Sequence, residues 1–200
     1  MCKDGALYVE GAEEIKPVLK ELSQFAWENH ITVVSTCDLH VETDEELSDT
    51  PDFINTFPNH CIKGTQGTSF IDETDPYTRA YSIVRYTRPM DKKDVDFESI
   101  VVPKNKFDVF EGNPNTDELV KLLNPETVVV YGVATNVCVN CAVLGLLKRG
   151  IKVIVVEDAI KELPNMDVAN IYQNWILKGA HIRLFAEIKT MIKEDSNAKL

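Results

Sequence analysis

No stretch of this 200-residue chain is apolar for long enough to span a bilayer, and its opening, "MCKDGALYVEGAEE", is too acidic and polar for a secretory signal. Basic side chains are in deficit: 21 Lys and Arg stand against 32 Asp and Glu, a net charge of −11. A surface of that sign repels nucleic acid and anionic membranes, so neither is expected as a partner. A disulfide framework is missing as well. The five cysteines (Cys2, Cys37, Cys61, Cys138 and Cys141) are odd in number and show no framework spacing, which points to a reducing cytoplasm. Internal repeats, low-complexity tracts and linkers are absent, so residues 1–200 read as a single domain.

What is present is an alternation of short β-branched runs with amphipathic segments. Apolar residues at Ile15, Val18, Leu19, Leu22, Phe25 and Ala26 recur at the spacing of one helix face. "ITVVSTCD" then reads as a buried strand. A polar stretch from Leu39 to about Thr68 follows, long enough to suggest a functional or disordered loop, and its aromatic and histidine content favours function. "AYSIVRYT" and "ESIVVPKN" read as two further strands. From there the pattern is regular: helix over Thr116 to Leu123, strand "ETVVVYGVA", helix over Val139 to Lys148, strand "IKVIVVEDA". A helix over Val168 to Leu177, the strand "AHIRLF" and a closing helix "AEIKTMIKE" complete it. Such alternation predicts an α/β fold, a doubly wound, mostly parallel sheet with helices on both faces.

In a sheet of this kind ligands bind beyond the carboxyl ends of the strands. Three ends carry reactive side chains: Asp38 and His40 after "ITVVSTC", Lys104 after "IVVP", and Cys138 after "VVVYGVA". The topology gathers all three on one edge. Cys138 lies at a strand-to-helix turn, where helix N–H groups and the helix dipole favour a thiolate and where amides could hold an oxyanion. A packed structural cysteine is the plainer alternative, and Cys141 fits that description better. Lys104 could stabilise an anion beside Cys138, or be one more solvated lysine. Asp38, His40, Glu46 and His60 offer carboxylate and imidazole ligands to zinc, iron or manganese, or simply form a solvated acidic loop. Phe53 and Phe57 could anchor that loop or wall a flat ligand.

Taken together, "GALYVEGAEEI", "DLH…TPDF…FPNHCIKGTQGTSF", "VVPKNKFDVF", "VVVYGVATNVCV" and "VIVVEDA" resemble the isochorismatase-like cysteine hydrolase superfamily, in its nicotinamidase (pyrazinamidase) branch. The likeness runs from residue 5 to about residue 190. It implies a Rossmann-like three-layer fold and a metal-dependent amidohydrolase that converts nicotinamide and water to nicotinate and ammonia through a thioester on Cys138. It further implies Lys104 as the lysine of an Asp-Lys-Cys triad. An oxyanion hole from the Ala134 and Cys138 amides is expected, beside a cis Val133–Ala134 peptide, and Phe57, Val133 and Ala134 against the substrate. Asp38, His40, Glu46 and His60 fall on the metal-ligand positions, with zinc the leading candidate and iron or manganese next. A homo-oligomer is expected on the same ground. The family pattern also begins with a central strand bearing the triad aspartate. Neither is visible here, since Asp4 lies on the wrong side of that position. That departure leaves two other readings, a hydrolase of another small amide and a non-catalytic member that binds a ligand or partner.

Overall fold

The computed structural model describes residues 3–164 and 168–197, with side chains described as far as residue 193. Cys2 lies outside them. No helix among the described residues is long and apolar enough to cross a membrane. Helix α1 (Lys16–Glu28) starts from a 3₁₀ turn at Ala12–Ile15, with Pro17 in its first turn where a missing N–H does no harm. Strand β1 (Val33–Asp38) follows, then β2 (Tyr81–Ile83) and β3 (Ser99–Lys104). Next come α2 (Val109–Gly112), α3 (Thr116–Leu123), β4 (Thr127–Val133) and α4 (Asn140–Lys148). Strand β5 (Lys152–Lys161), α5 (Val168–Leu177), β6 (His181–Arg183) and α6 (Phe185–Asn197) close the order.

Every strand pairing is parallel, as the alternating sequence pattern requires. The side chains of β4 and β5 go alternately to the two faces. Val128, Val130, Val153 and Val155 join α4 and α5 around the fully buried Trp175. Val129, Tyr131, Ile154 and Val156 meet α1 and α6 through Leu19, Phe185 and Ile188. A third cluster of Val84, Ile100, Val102, Val109 and Leu119 packs α2 and α3 on the β3 side.

Two features refine the sequence reading. The pairings form two three-stranded halves, ordered β1-β3-β2 and β4-β5-β6, the two unpaired inner edges that a doubly wound sheet without the family's central first strand is expected to have. Strands β1 and β4 lie on the facing inner edges, and both line a cavity of ≈ 700 Å³ between the halves. Secondly, "AYSIVRYT" yields a strand of only three residues. Beyond Ile83, carbonyls that would extend a ladder are captured by side-chain amides: Asn113 donates to Val84 O at 3.1 Å and Asn115 to Arg88 O at 2.8 Å. The long segment after β1 is ordered by local pairing, with bridges at His40–Ile62 and Leu47–Phe57.

Helices α2 and α4 pack against each other, and Gly145 makes that contact possible. A Cβ there would stand 2.4 Å from two ring carbons of Phe110. That ring also carries the Arg149 guanidinium, 3.5 Å from its centroid, which leaves it little room to move aside. In an unobstructed helix Gly→Ala stabilises by about 1 kcal/mol. Here the clash reverses the sign, and Gly145→Ala is expected to destabilise by about 1–3 kcal/mol. A lowered urea midpoint at unchanged slope is the expected readout, and a raised midpoint would contradict this packing.

Candidate active site

The carboxyl ends of β1, β3 and β4 meet, as the topology anticipates. Asp38 and Lys104 are register partners on adjacent strands, and Leu39 N donates to Lys104 O at 2.8 Å, which carries the pairing one step past the strand. Lys104 is 2% exposed, so its ammonium needs internal acceptors. It has three: the Asp38 carboxylate, Lys106 O at 3.0 Å and Cys138 Sγ at 3.4 Å. An ammonium carries three donors, so the set is complete. Burial opposes the charge, but Cys138 and Asp38 outweigh it and hold Lys104 above its ordinary value. The turn that follows depends on close approach at Gly112, where a Cβ would lie 2.8 Å from Lys106 N.

Cys138 sits in a five-residue π-helical turn, Thr135–Val139, that leads into α4. Turns of this kind are frequent at functional sites. The Val133–Ala134 peptide is cis, as the family resemblance implies. The turn is tethered through Asn136, whose amide donates to Leu163 O at 2.9 Å and accepts from Leu163 N at 3.0 Å. Thr135 is wholly buried with its hydroxyl unpartnered. The expectation of a low-lying thiolate needs correction. Burial pushes the Cys138 thiol above its ordinary value, and the Lys104 ammonium only partly pulls it back. At rest the pair is a thiol beside an ammonium, so the reaction requires a proton acceptor. Cys141, raised to about 11 by burial, behaves as the packed neighbour anticipated for it.

Asp38, His40 and His60 each bring a ligand atom into one group, all within 4.8 Å of one another. His40 is 0% exposed, and its Nε2 is buried with no partner. Its Nδ1 faces Asp44 Oδ2 at 3.2 Å, and the same oxygen accepts from Val41 N at 2.9 Å. His60 is fixed similarly, through Nδ1 to Pro58 O at 2.8 Å. An outer partner on one ring nitrogen, with the other turned inward, is the arrangement of a ligating histidine. Burial also lowers the His40 pKa and keeps the imidazole neutral. The orphaned Nε2 and the donor types therefore fit a divalent transition metal.

Glu46 stands apart from that compact group. Its Oε1 accepts from Phe107 N at 2.8 Å, while its Oε2 is buried without a partner. Burial raises it to about 7, the Phe107 amide and the Lys104 charge working the other way. Phe57 is 4% exposed and packs edge-on between Phe53 and Phe107, at 6.1 and 5.4 Å. Phe53 is the open member of the trio at 58%. Asp44, Asn136 and Phe107 were not singled out from the sequence. The spacing Asp44-to-His40, one helical turn's worth of residues, was the available signal for the first.

The isochorismatase domain family matches residues 1–184. The chain belongs to that family. It is 29% identical over 157 residues to a nicotinamidase/pyrazinamidase of Mycobacterium tuberculosis (strain ATCC 25618 / H37Rv), covering 78% of each chain. The fold is similar to that of the pyrazinamidase/nicotinamidase from Streptococcus mutans UA159, with a TM-score of 0.68 at 24% identity over 91% of this chain and 92% of the other. It is similar also to the pyrazinamidase of Pyrococcus horikoshii in complex with zinc, with a TM-score of 0.69 at 22% identity over 92% of each. The relatives so named are hydrolases acting on amides.

For this isochorismatase-family chain, Lys104→Met removes the cation that pulls the thiol down while keeping most of the stem. Alkylation of Cys138 by iodoacetamide, followed by mass spectrometry of the folded protein, is expected to slow about tenfold or more. In the unsubstituted protein the rate is expected to keep rising with pH beyond the ordinary thiol value of about 8.5. An unchanged rate in the variant would dismiss Lys104 as a partner of the thiol.

Proposed function

We propose that this chain is a metal-dependent cysteine amidohydrolase acting on nicotinamide, giving nicotinate and ammonia. The observation that carries the reading is the Asp38–Lys104–Cys138 contact series, set beside a three-donor group that includes an unpartnered, buried imidazole nitrogen. A thiol, a cation and a carboxylate in series suit nucleophilic attack on an amide. The adjoining donors suit a ligand that a pyridine nitrogen could reach.

A divalent transition metal held by Asp38, His40 and His60 would orient the pyridine ring, with the bare Oε2 of Glu46 as a further available donor. The chain's own groups supply the rest. The thiol proton of Cys138 passes to Lys104 Nζ as that ammonium gives one of its own to Asp38. Sγ then bonds to the carboxamide carbon, and the oxyanion is held by the N–H groups of Ala134 and Cys138. The carbon–nitrogen bond breaks, and the leaving nitrogen takes back the proton and departs as ammonia. Water then attacks the thioester, gives a proton to the same carboxylate and releases the acid, and the proton returns to sulfur. Lys104 stays cationic at the end of each step, which keeps negative charge tolerable in a buried site. Val133 and Ala134 would lie against the substrate, and Phe57, braced by Phe107, would support the aromatic side that Phe53 leaves open to solvent.

Within this reading Asp38 serves both the relay and the metal. The family resemblance implies a relay aspartate on a first strand not visible in this sequence and gives Asp38 only a metal-ligand position; the contact of Asp38 with Lys104 supports the added role. Ammonia release from nicotinamide, assayed with added zinc, manganese or iron, tests the proposal. Cys138→Ala is expected to lower the rate by about a thousandfold or more. His60→Ala is expected to weaken zinc binding, followed by equilibrium dialysis, by about tenfold or more. No ammonia release from a folded, metal-loaded protein would refute nicotinamide as substrate. Undiminished turnover in Cys138→Ala would refute the thioester.

A further inference from the structure

An imidazole can ligate a metal only through a nitrogen that carries no proton, so the tautomer of His40 decides whether the donor group works. The ring is wholly buried, and water cannot choose the tautomer for it. Its Nδ1 lies 3.2 Å from Asp44 Oδ2, and an ionised carboxylate only accepts. The ring proton is therefore on Nδ1. Burial keeps the imidazole neutral, which leaves Nε2 as a bare lone pair, buried and without a partner. Take Asp44 away and the choice reopens. Asp38 offers its ligand oxygen within 4.8 Å of the His40 ligand atom, and it would accept the proton on the wrong nitrogen. A proton there closes the position to a metal.

Asp44 is held for this task from several directions. Its side chain is only 13% exposed. Besides facing His40, its Oδ2 accepts from Val41 N at 2.9 Å, while its Oδ1 accepts from Asn105 Nδ2 at 3.3 Å. Its backbone is fixed on both sides, the N–H donating to Val41 O and the carbonyl accepting from Leu47 N, each at 3.0 Å. The carboxylate thus has little freedom to leave the imidazole. His60 meets the same need differently, through the backbone carbonyl of Pro58 at 2.8 Å. Of the two imidazoles, His40 is the one whose tautomer depends on a side chain. Asn105 directly follows Lys104, so the turn that seats the lysine also steadies this carboxylate.

We propose that Asp44 and Asn105, neither of them a member of the donor group, are positioning residues for metal binding. Asp44 fixes the Nδ1–H tautomer of His40 and so presents Nε2 to the ion beside Asp38 and His60, and Asn105 holds Asp44 in place. An outer carboxylate of this kind also strengthens the imidazole as a ligand. The inference rests on the metal-dependent reading above and extends it from the donors to the pair that sets one donor's protonation.

The test compares the unsubstituted chain with Asp44→Leu, Asp44→Asn and Asn105→Ala. Zinc affinity is measured by competition with a chromophoric chelator at fixed pH. The His40 tautomer is read in metal-free protein labelled at histidine, by long-range proton–nitrogen NMR correlation, with His40→Gln to assign the signals. Asp44→Leu keeps the size and removes the acceptor. It is expected to weaken zinc binding about tenfold to a hundredfold and to move the ring proton toward Nε2. Asp44→Asn is expected to rescue the tautomer: its amide oxygen accepts from Nδ1–H, and the Asn105 amide turns over to accept from the new NH₂. Its zinc affinity is expected to fall only severalfold, as is that of Asn105→Ala. Should Asp44→Leu fail to fold, Asp44→Ala takes its place, and the tautomer of the unsubstituted protein is decisive by itself. An Nε2–H tautomer in the unsubstituted protein, or tight zinc binding that the loss of the Asp44 carboxylate leaves unchanged, would overturn this inference alone. Equal losses in Asp44→Leu and Asp44→Asn with an unmoved tautomer would also overturn it, assigning Asp44 to loop stability. An unsubstituted chain that binds no zinc would overturn it together with the metal-dependent reading.

Discussion

A lysine ammonium taken out of water must be given acceptors in place of its hydration shell, and Lys104 is where this chain meets that demand. The register of β1 against β3 sets Asp38 directly beside it, and the turn stabilised by Gly112 brings up Lys106 O. The third acceptor is a sulfur from the other half of the molecule. Removing any one would leave a buried donor or a buried charge, which is far more damaging than losing a surface pair. The geometry of the site is thus set by a solvation requirement as much as by chemistry. A sequence that buries this lysine must also place the thiol and the carboxylate around it.

The same logic governs the histidine loop. A segment of some thirty residues without helix or long strand would ordinarily be mobile. Here it is drawn in by His40, whose backbone pairs with Cys61 and Lys63 and whose ring is oriented by Asp44. Asp44 is in turn held by Asn105, in the turn after β3, at 3.3 Å, and Glu46 by Phe107 N. The loop is therefore fastened to the residues that follow Lys104, so the Asp38, His40 and His60 group and the contacts of Lys104 share one set of supports. A disturbance of the β3 turn would reach both.

Much of this was legible in the sequence because period and position carry it. Parallel strands buried on both faces leave β-branched runs, and in a doubly wound sheet the reactive residues at strand ends must share an edge. Asp38, Lys104 and Cys138 could be gathered from that rule alone. Other features were not legible, for physical reasons. The thiol's burial depends on how deeply the turn is packed, so the helix-dipole argument gave the wrong direction for its pKa. The truncation of β2 follows from Asn113 and Asn115, some thirty residues downstream, reaching carbonyls that look free for a ladder. The Asn136–Leu163 tether joins residues 27 apart through a side-chain amide, which has no periodicity to betray it. The split between the half-sheets, by contrast, was legible: it falls where the sequence shows no counterpart of the family's central first strand, which leaves two edges unpaired.

That split makes the site unusual in how it is held together. Asp38 and Lys104 belong to one half-sheet, while Cys138 follows β4 in the other. Backbone ladders are the stiffest connection an α/β protein has, yet none runs between these halves among the described residues. What spans the gap is helical packing: Phe110 of α2 seated on Gly145 of α4, and Arg149, just beyond α4, paired at 2.5 Å with Asp117 of α3. On the other face, α1 lies against Ile154 and Val156 of β5 and against the residues leading into β1. Side-chain packing of this kind resists separation well but resists sliding less than a hydrogen-bonded register does. The 3.4 Å contact from Lys104 to Cys138 is the place where such sliding would be felt first, because an ammonium–sulfur contact lengthens at once when its supports shift. The Asp38–Lys104–Cys138 contact series thus spans two half-sheets whose alignment rests on helical packing, through α2 and α4 on one face and α1 on the other.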